Sequence, residues 1–238
     1  MVSRSITRRF TALVQAYAPE LGKRIRPHLR LTNDSYRVDE TYVKIKGKWK
    51  YLYRAVDSTG QTIGFMLSAK RDARAVKRFF RKMLKAAPRS SPRVINVDKN
   101  PAYPPAVEEL KKEGVLAAPS QLRQRKHLNN IVEQNHRFIK LRVNAGLGFF
   151  SFNTAWRTIR EYESMNMIRK GQIARVGRRE IPMQVKFVSN LFGIVAYIGV
   201  QLGLFTSLFI FLQHNPCRLE HVCDRDPKIF STRELFAQ

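Results

Sequence analysis

Cysteine is nearly absent from this chain: of 238 residues only Cys217 and Cys223 carry a thiol, both near the C-terminus. A disulfide framework is therefore excluded as a source of stability, and a reducing cytoplasm is the natural compartment. Acidic side chains are scarce as well, with 18 Asp and Glu against 44 Lys and Arg, which leaves a net charge of +26. That excess is far beyond what solubility requires and points to a polyanion, nucleic acid first and an anionic membrane surface second. No apolar segment follows the basic stretch from Met1 to Phe10, so no signal peptide is expected. With 44% hydrophobic residues, a chain of this length can fill the core of one good-sized domain with smaller appendages.

Residues 1–30 carry seven basic side chains and one acid, Glu20, and Phe10, Leu13, Val14 and Tyr17 fit a short helix that stops before Pro19. Three strand-like runs follow, Tyr36 to Ile45, Trp49 to Val56 and Thr62 to Leu67. They are separated by the turn signals Lys46-Gly47-Lys48 and Asp57-Ser58-Thr59-Gly60, so a three-stranded meander is expected. Ala73, Val76, Phe80, Met83 and Ala87 then recur at helical spacing. Arg74, Lys77, Arg78 and Arg81 lie among the cations covering the rest of that helix. Asp72 is the only acid beside them, so phosphate contact is favoured over a merely solvated face. A buried strand over Val94 to Val97, a helix over 102–113, a brief strand near Val115 to Ala118 and a helix over about Leu128 to Arg142 continue an α/β alternation.

Where acids are so few, the isolated ones are informative. Asp39 lies in the first strand, Asp98 directly follows Val97, and Glu133 is the only acid between Gly114 and Arg160. An acid at the carboxyl end of a buried strand occupies the position where open α/β sheets place functional groups. On the last helix, Leu128, Ile131, Val132, Phe138 and Ile139 share one side, while Glu133, His136, Arg137 and Lys140 share the other, an acid with three potential cations. A surface salt bridge between Glu133 and Arg137 would explain that helix equally well. Converging carboxylates would hold divalent magnesium, which prefers oxygen ligands and substrate phosphates. Arg123, Arg125 and Lys126 precede the helix in a loop suited to a DNA backbone. Glu40 should point to the opposite face of its strand from Asp39 and act as a structural partner. His136 and Lys99 are candidates to act from behind the ligands. Trp49, Tyr51 and Tyr53 fit base stacking and cross-strand packing alike. His214, Cys217, His221 and Cys223 match no common zinc spacing.

Three ordered blocks carry a resemblance. Val38-Asp39-Glu40-Thr41-Tyr42-Val43-Lys44, continuing through Gly47 to Asp57, resembles the first catalytic block of DDE-type transposases of bacterial insertion sequences, the insertion sequence six family in particular. Asn96-Val97-Asp98-Lys99-Asn100-Pro101-Ala102-Tyr103 resembles the second, and the run from Asn129 to Lys140 the third. Thirty-four residues separate Asp98 from Glu133, the family's spacing, and Lys140 matches the basic residue completing its signature. Tyr162 to Gly171 is similar as well. The resemblance implies a ribonuclease H-like fold, a mixed five-stranded sheet flanked by helices. Asp39, Asp98 and Glu133 would then hold two magnesium ions ~3.5–4 Å apart, with manganese able to substitute, for cutting and joining DNA. It implies DNA contact by Lys140, Arg137 and the basic residues named above, a homodimer or higher oligomer on paired DNA ends, and a cytoplasmic location on the nucleoid.

On this likeness, residues 1–32 are the remnant of an N-terminal helix-turn-helix region, 33–172 the catalytic domain, 173–193 a C-terminal family segment and 194–238 an atypical apolar tail. From Phe187 to Gln213 no charge occurs over 27 residues, long enough to cross a bilayer. A tail-anchored protein with a basic cytoplasmic domain is thus one alternative to a transposase, and an inactive, non-specifically DNA-binding remnant is another. An accidental tail is the preferred reading, with no membrane partner.

Overall fold

The computed structural model describes residues 19–86, 91–125, 132, 136–137, 139–140 and 149–193. Strands β1 (Ser35–Ile45), β2 (Lys48–Asp57) and β3 (Thr62–Ser68) form the expected antiparallel meander. The β1–β2 turn is two residues long, and both Lys46 and Gly47 take positive φ, 48° and 73°, the geometry that matches the strands' right-handed twist. At the β2–β3 turn Asp57 closes the loop on itself, its Oδ1 accepting from the Thr59 and Gln61 amides at 2.9 Å each. Strand β4 (Val94–Val97) pairs parallel with β1, and β5 (Gln121–Gln124) pairs parallel with β4, giving the order β3-β2-β1-β4-β5. This is the mixed five-stranded sheet of the ribonuclease H-like fold.

Alternation along the strands supplies two apolar faces. Tyr36, Val38, Tyr53, Ala55, Ile95 and Val97 meet Phe79, Phe80 and Met83 of helix α1 (Ala73–Ala86) and Val107 and Leu110 of α2 (Tyr103–Lys112). On the other face Val43, Leu52 and Leu67 meet Ile139 together with Ala155 and Ile159 of α3 (Phe152–Arg169). A third cluster joins Leu21 and Ile25 to Ile168, Ile173 and Val176, and to Val188 of α4 (Ile181–Leu191). Helix starts have local causes. Asp72 Oδ1 accepts from the Ala75 amide at 2.7 Å, and Ser151 Oγ accepts from that of Thr154 at 3.0 Å.

Two expectations need correction. The fifth strand is Gln121–Gln124, not Val115 to Ala118. Gly114, at φ 69°, ends α2 by turning its chain so that the Val115 and Leu116 amides both donate to the Leu110 carbonyl. Leu116 is thereby buried in a loop. Apolar character there reflects core filling, whereas β5 is polar because only Leu122 of its residues packs on the core. No helix is expected from Pro19 onward, yet residues 19–24 are helical, held by burial of Leu21 and Ile25 in the third cluster. The expectations for Phe10 to Tyr17, for residues 194–238 and for His214 to Cys223 lie outside the described residues. Among the described residues no helix is long and apolar enough to cross a membrane.

One ion pair is sealed inside the fold. Arg54 of β2 and Glu163 of α3 meet at 2.6 Å between Nε and Oε1, with side chains 0% and 1% exposed. Beyond α3, the Gln172 side chain accepts from the Thr62 amide at 2.9 Å and donates to the Thr62 carbonyl at 2.7 Å, pairing with β3 as a strand would. Removing one buried charge leaves the other without a counterion, so Glu163→Ala should cost about 3–5 kcal/mol in urea denaturation. The double replacement Arg54→Met with Glu163→Leu should recover most of that loss. Burial raises the Glu161 carboxyl to about 8, and among the described residues its Oε2 has no hydrogen-bond partner. The folded chain therefore keeps a proton that the unfolded chain loses above the ordinary carboxylate range, and stability drains away as pH rises toward 8. Glu161→Gln should melt well above the unsubstituted chain at pH 8, the gap closing as pH falls to 5.

Candidate active site

Two strand positions bring the acids together. The last parallel pair of β1 and β4 is Arg37 with Asn96, and continuing that register by two residues brings Asp39 level with Asp98 at the end of β4. Carboxylate oxygens of Asp39, Glu40 and Asp98 all lie within 4.8 Å of one another. Glu40, one residue along, projects toward the α1–α2 face, as alternation requires. There it accepts from Arg71 Nε at 2.6 Å, from Asn100 Nδ2 at 2.9 Å and from the Tyr103 hydroxyl. Its side chain is 2% exposed, and both oxygens are engaged.

Asp98 and Asp39 are more open, with side chains 28% and 16% exposed. Asp98 Oδ1 accepts from the Asn100 amide at 3.1 Å, while Arg71 stands 3.6 Å from Oδ2. Burial, then the charge on Glu40, lifts the Asp98 carboxyl above its ordinary value, against the pull of the Asn100 amide and Arg71. His136 Nδ1 lies 3.7 Å from Asp39 Oδ2. Burial, then Arg54 and Lys140, hold that imidazole well below its ordinary value. It is a neutral, buried neighbour of Asp39, which corrects its assignment to an exposed face with three potential cations. Tertiary packing buries it, where periodicity set it beside Arg137 and Lys140, both of which are exposed. A donor set of carboxylate oxygens, two of them reachable from solvent, fits a hard divalent cation and not a soft one. Glu133 and Lys126 lie outside the described residues.

The basic residues divide into two groups. Lys77 reaches Glu109 of α2 and Glu113 just past its end at 2.6 Å each, and Arg81 reaches Glu113 at 2.6 Å. Their acids are about 32 residues away, so a local count of charges misses them. Arg74, Arg78, Arg123 and Arg125 are exposed, as is Lys99. Tyr53 is buried and stacks on Phe79 at 5.7 Å between centroids, which assigns it to packing, whereas Trp49 is 60% exposed. Sequence reasoning placed Glu40 on the opposite face as a structural partner, as found, but missed the partners that hold it, Arg71 above all. Asn100 and Tyr103 were visible within the second motif block, but nothing local marks Arg71, which the α1 approach carries to the site.

A family model for the DDE domain matches residues 33–172. The chain is 35% identical over 157 residues to the transposase for the insertion sequence-like element IS431mec of Staphylococcus aureus, covering 66% of this chain and 67% of that one. The same figures hold for the transposase for insertion sequence element IS257 in transposon Tn4003 of Staphylococcus aureus. Among solved structures, the HTLV-2 integrase catalytic core domain in complex with magnesium overlays with a TM-score of 0.40 at 20% identity, over 48% of this chain and 72% of that one. The sheet and the matched domain define a DDE-type polynucleotidyl transferase. The chain belongs to the DDE transposase family of bacterial insertion sequences.

The unequal bonding of the acids predicts unequal stability effects. Glu40→Ala leaves buried Tyr103 and part of Arg71 unpaired and should cost about 1–3 kcal/mol. Asp98→Asn removes a carboxylate from beside Glu40 and should leave the metal-free melting temperature unchanged or higher. Added magnesium should raise the melting temperature of the unsubstituted chain but not of Asp98→Asn.

Proposed function

We propose that this chain is the catalytic core that cuts the ends of its element and joins them to target DNA, with Asp39, Asp98 and Glu133 as the metal-holding carboxylates. The observation that carries this reading is the convergence of Asp39 and Asp98 oxygens at the ends of adjacent parallel strands. Glu133 precedes His136 by three residues, a spacing that shares a face in a helix, and His136 lies against Asp39. Two magnesium ions, or manganese in their place, would when bound polarise the scissile phosphate and activate a water or a DNA 3′-hydroxyl for in-line displacement.

The protein's own part is to hold and orient. Asp39 and Asp98 present oxygens from a rigid sheet, and the Arg71, Asn100 and Tyr103 contacts to Glu40 fix the strand that carries Asp39. Neutral His136 fills the space beside Asp39 without adding a competing positive charge. Exposed Lys140 and Arg137 stand on the same helix and contact DNA near the scissile phosphate. Arg74, Arg78, Arg123, Arg125 and Lys126 follow the backbone further out, with Lys77 and Arg81 reaching it only by exchanging their α2 acids for phosphates. Two copies pair two DNA ends in the cytoplasm, on the nucleoid. Residues 33–172 form the catalytic unit, 1–32 belong to the end-recognition region, 173–193 complete the family portion and 194–238 are an apolar tail.

The test is magnesium-dependent cleavage and joining of DNA carrying the element's flanking ends, with the intact chain and Asp98→Asn. Loss of a metal-holding carboxylate should lower the rate by at least about a hundredfold, the upper end of the cost of losing an outer partner alone. Salt-sensitive DNA binding without cleavage in the unsubstituted chain would identify a catalytically inactive remnant instead.

A further inference from the structure

A second site lies at the opposite edge of the sheet from the carboxylates. β3 is an edge strand. The segment 22–32, α1 and α3 close around it and leave a cavity of about 440 Å³. Its apolar wall includes Ile25, Ile63, Phe79 and Met83, all buried. Five cations, Arg26, Arg30, Lys82, Lys85 and Arg160, line the same space, and Arg26, Lys82 and Arg160 are close enough to act on one another's charge. Among the described residues their side chains make no ion pair and no hydrogen bond; Lys82 Nζ instead lies 5.3 Å from the Phe65 ring centroid and the Arg160 guanidinium 5.1 Å from that of Trp156. The one carboxylate on the wall, Glu163, is committed to Arg54.

Like charges gathered with too little opposite charge cost free energy, and the cost is visible at the groups themselves. Partial burial, then Arg160 and Arg26, lowers the Lys82 ammonium below its ordinary value, and partial burial, then Arg26, lowers Arg160 against the weaker opposing pull of Glu20. The chain passes close to Arg160 at Gly22, where a Cβ would sit 2.8 Å from Arg160 Nε, so a larger residue there would have to push the guanidinium aside. Cations held together above an apolar floor suit a ligand that brings negative charge and a flat apolar body in one unit. The volume is that of a small-ligand site, large enough for one nucleotide and far too small for a duplex.

We propose that this cavity binds a single nucleotide of an unpaired DNA strand, its phosphate on Arg26, Lys82 and Arg160 and its base on the apolar floor. The assignment to a DNA strand rests on the strand-transfer reading; the nucleoside phosphate chemistry of the pocket does not. The site serves to hold a strand end away from the cutting centre, and it is independent of divalent metal.

Trp156 lines the cavity and the chain has two tryptophans, so a Trp49→Phe background gives one reporter. Its fluorescence is followed without metal during titration with deoxyadenosine 5′-monophosphate, inorganic phosphate, a short single-stranded oligodeoxynucleotide and the matching duplex. The oligonucleotide and the monophosphate should give saturable changes, the monophosphate at least about tenfold tighter than phosphate. Lys82→Gln with Arg160→Gln should weaken both by at least about tenfold, the scale of one lost charge-assisted hydrogen bond. That variant should melt no lower than its parent, because it relieves repulsion. No Trp156 response, a response unchanged in the double variant, phosphate binding as tightly as the monophosphate, or duplex binding preferred through these residues would each overturn the proposal. Asp98→Asn should respond like its parent. DNA cutting without a Trp156 response therefore rejects only the pocket, and a Trp156 response without cutting rejects only strand transfer.

Discussion

The parallel pairing of β1 with β4 is the constraint on which the rest depends. It spans only Ser35, Tyr36 and Arg37 against Val94, Ile95 and Asn96, yet it decides which residues come level beyond its end. A slip of one residue would turn Asp39 to the other face and bring Glu40 beside Asp98 in its place. Register is secured by burial on both faces: all four β4 residues are buried, and Tyr36 and Val38 sit in the larger core against α1 and α2. The side of β1 away from β4 is held by ten pairs with β2, one of which sets Asp39 opposite Arg54.

Charge placement around that pairing follows one logic. In a chain of net charge +26, acids near the site are each assigned a distinct electrostatic environment. Glu163 neutralises Arg54 out of reach of water, and Glu40 is saturated by Arg71, Asn100 and Tyr103. Asp98 is left with one backbone donor and a distant Arg71, too little to offset the burial and the Glu40 charge that make its carboxyl harder to ionise. A divalent cation would resolve that strain where a further lysine would not, because a cation can be shared by two carboxylates at once. The opposite imbalance occurs at the β3 edge, where Arg26, Lys82 and Arg160 crowd with only Glu20 acting weakly on Arg160 and Glu163 committed to Arg54. The sheet thus separates a site short of positive charge from one short of negative charge.

The meander, α1, β4 and α2 were legible because their signals are local: alternation, turn residues, and apolar recurrence at helical spacing. The brief strand expected at Val115 to Ala118 failed because apolar residues in a loop can be buried by a helix-ending turn, and β5 itself is too polar to be seen by hydrophobicity. The cations of α1 looked unmatched because Glu109 and Glu113 become their neighbours only when α2 docks. His136 looked exposed because helical periodicity says which residues share a side, not how deep that side is buried.

What the sequence by itself determined is the family, through three ordered motif blocks, and with it the element order and the identity of Asp39 and Asp98 as the acids of interest. Those are properties of residue type and spacing along the chain. The tertiary structure alone decided that Glu40 is clamped while Asp98 is not, that His136 is neutral beside Asp39, and that a cavity at β3 is lined by five cations and one acid already committed to Arg54. Each of these depends on distance and burial between segments far apart in sequence, and the electrostatic free energy of a charge is set by those two quantities and not by its neighbours along the chain.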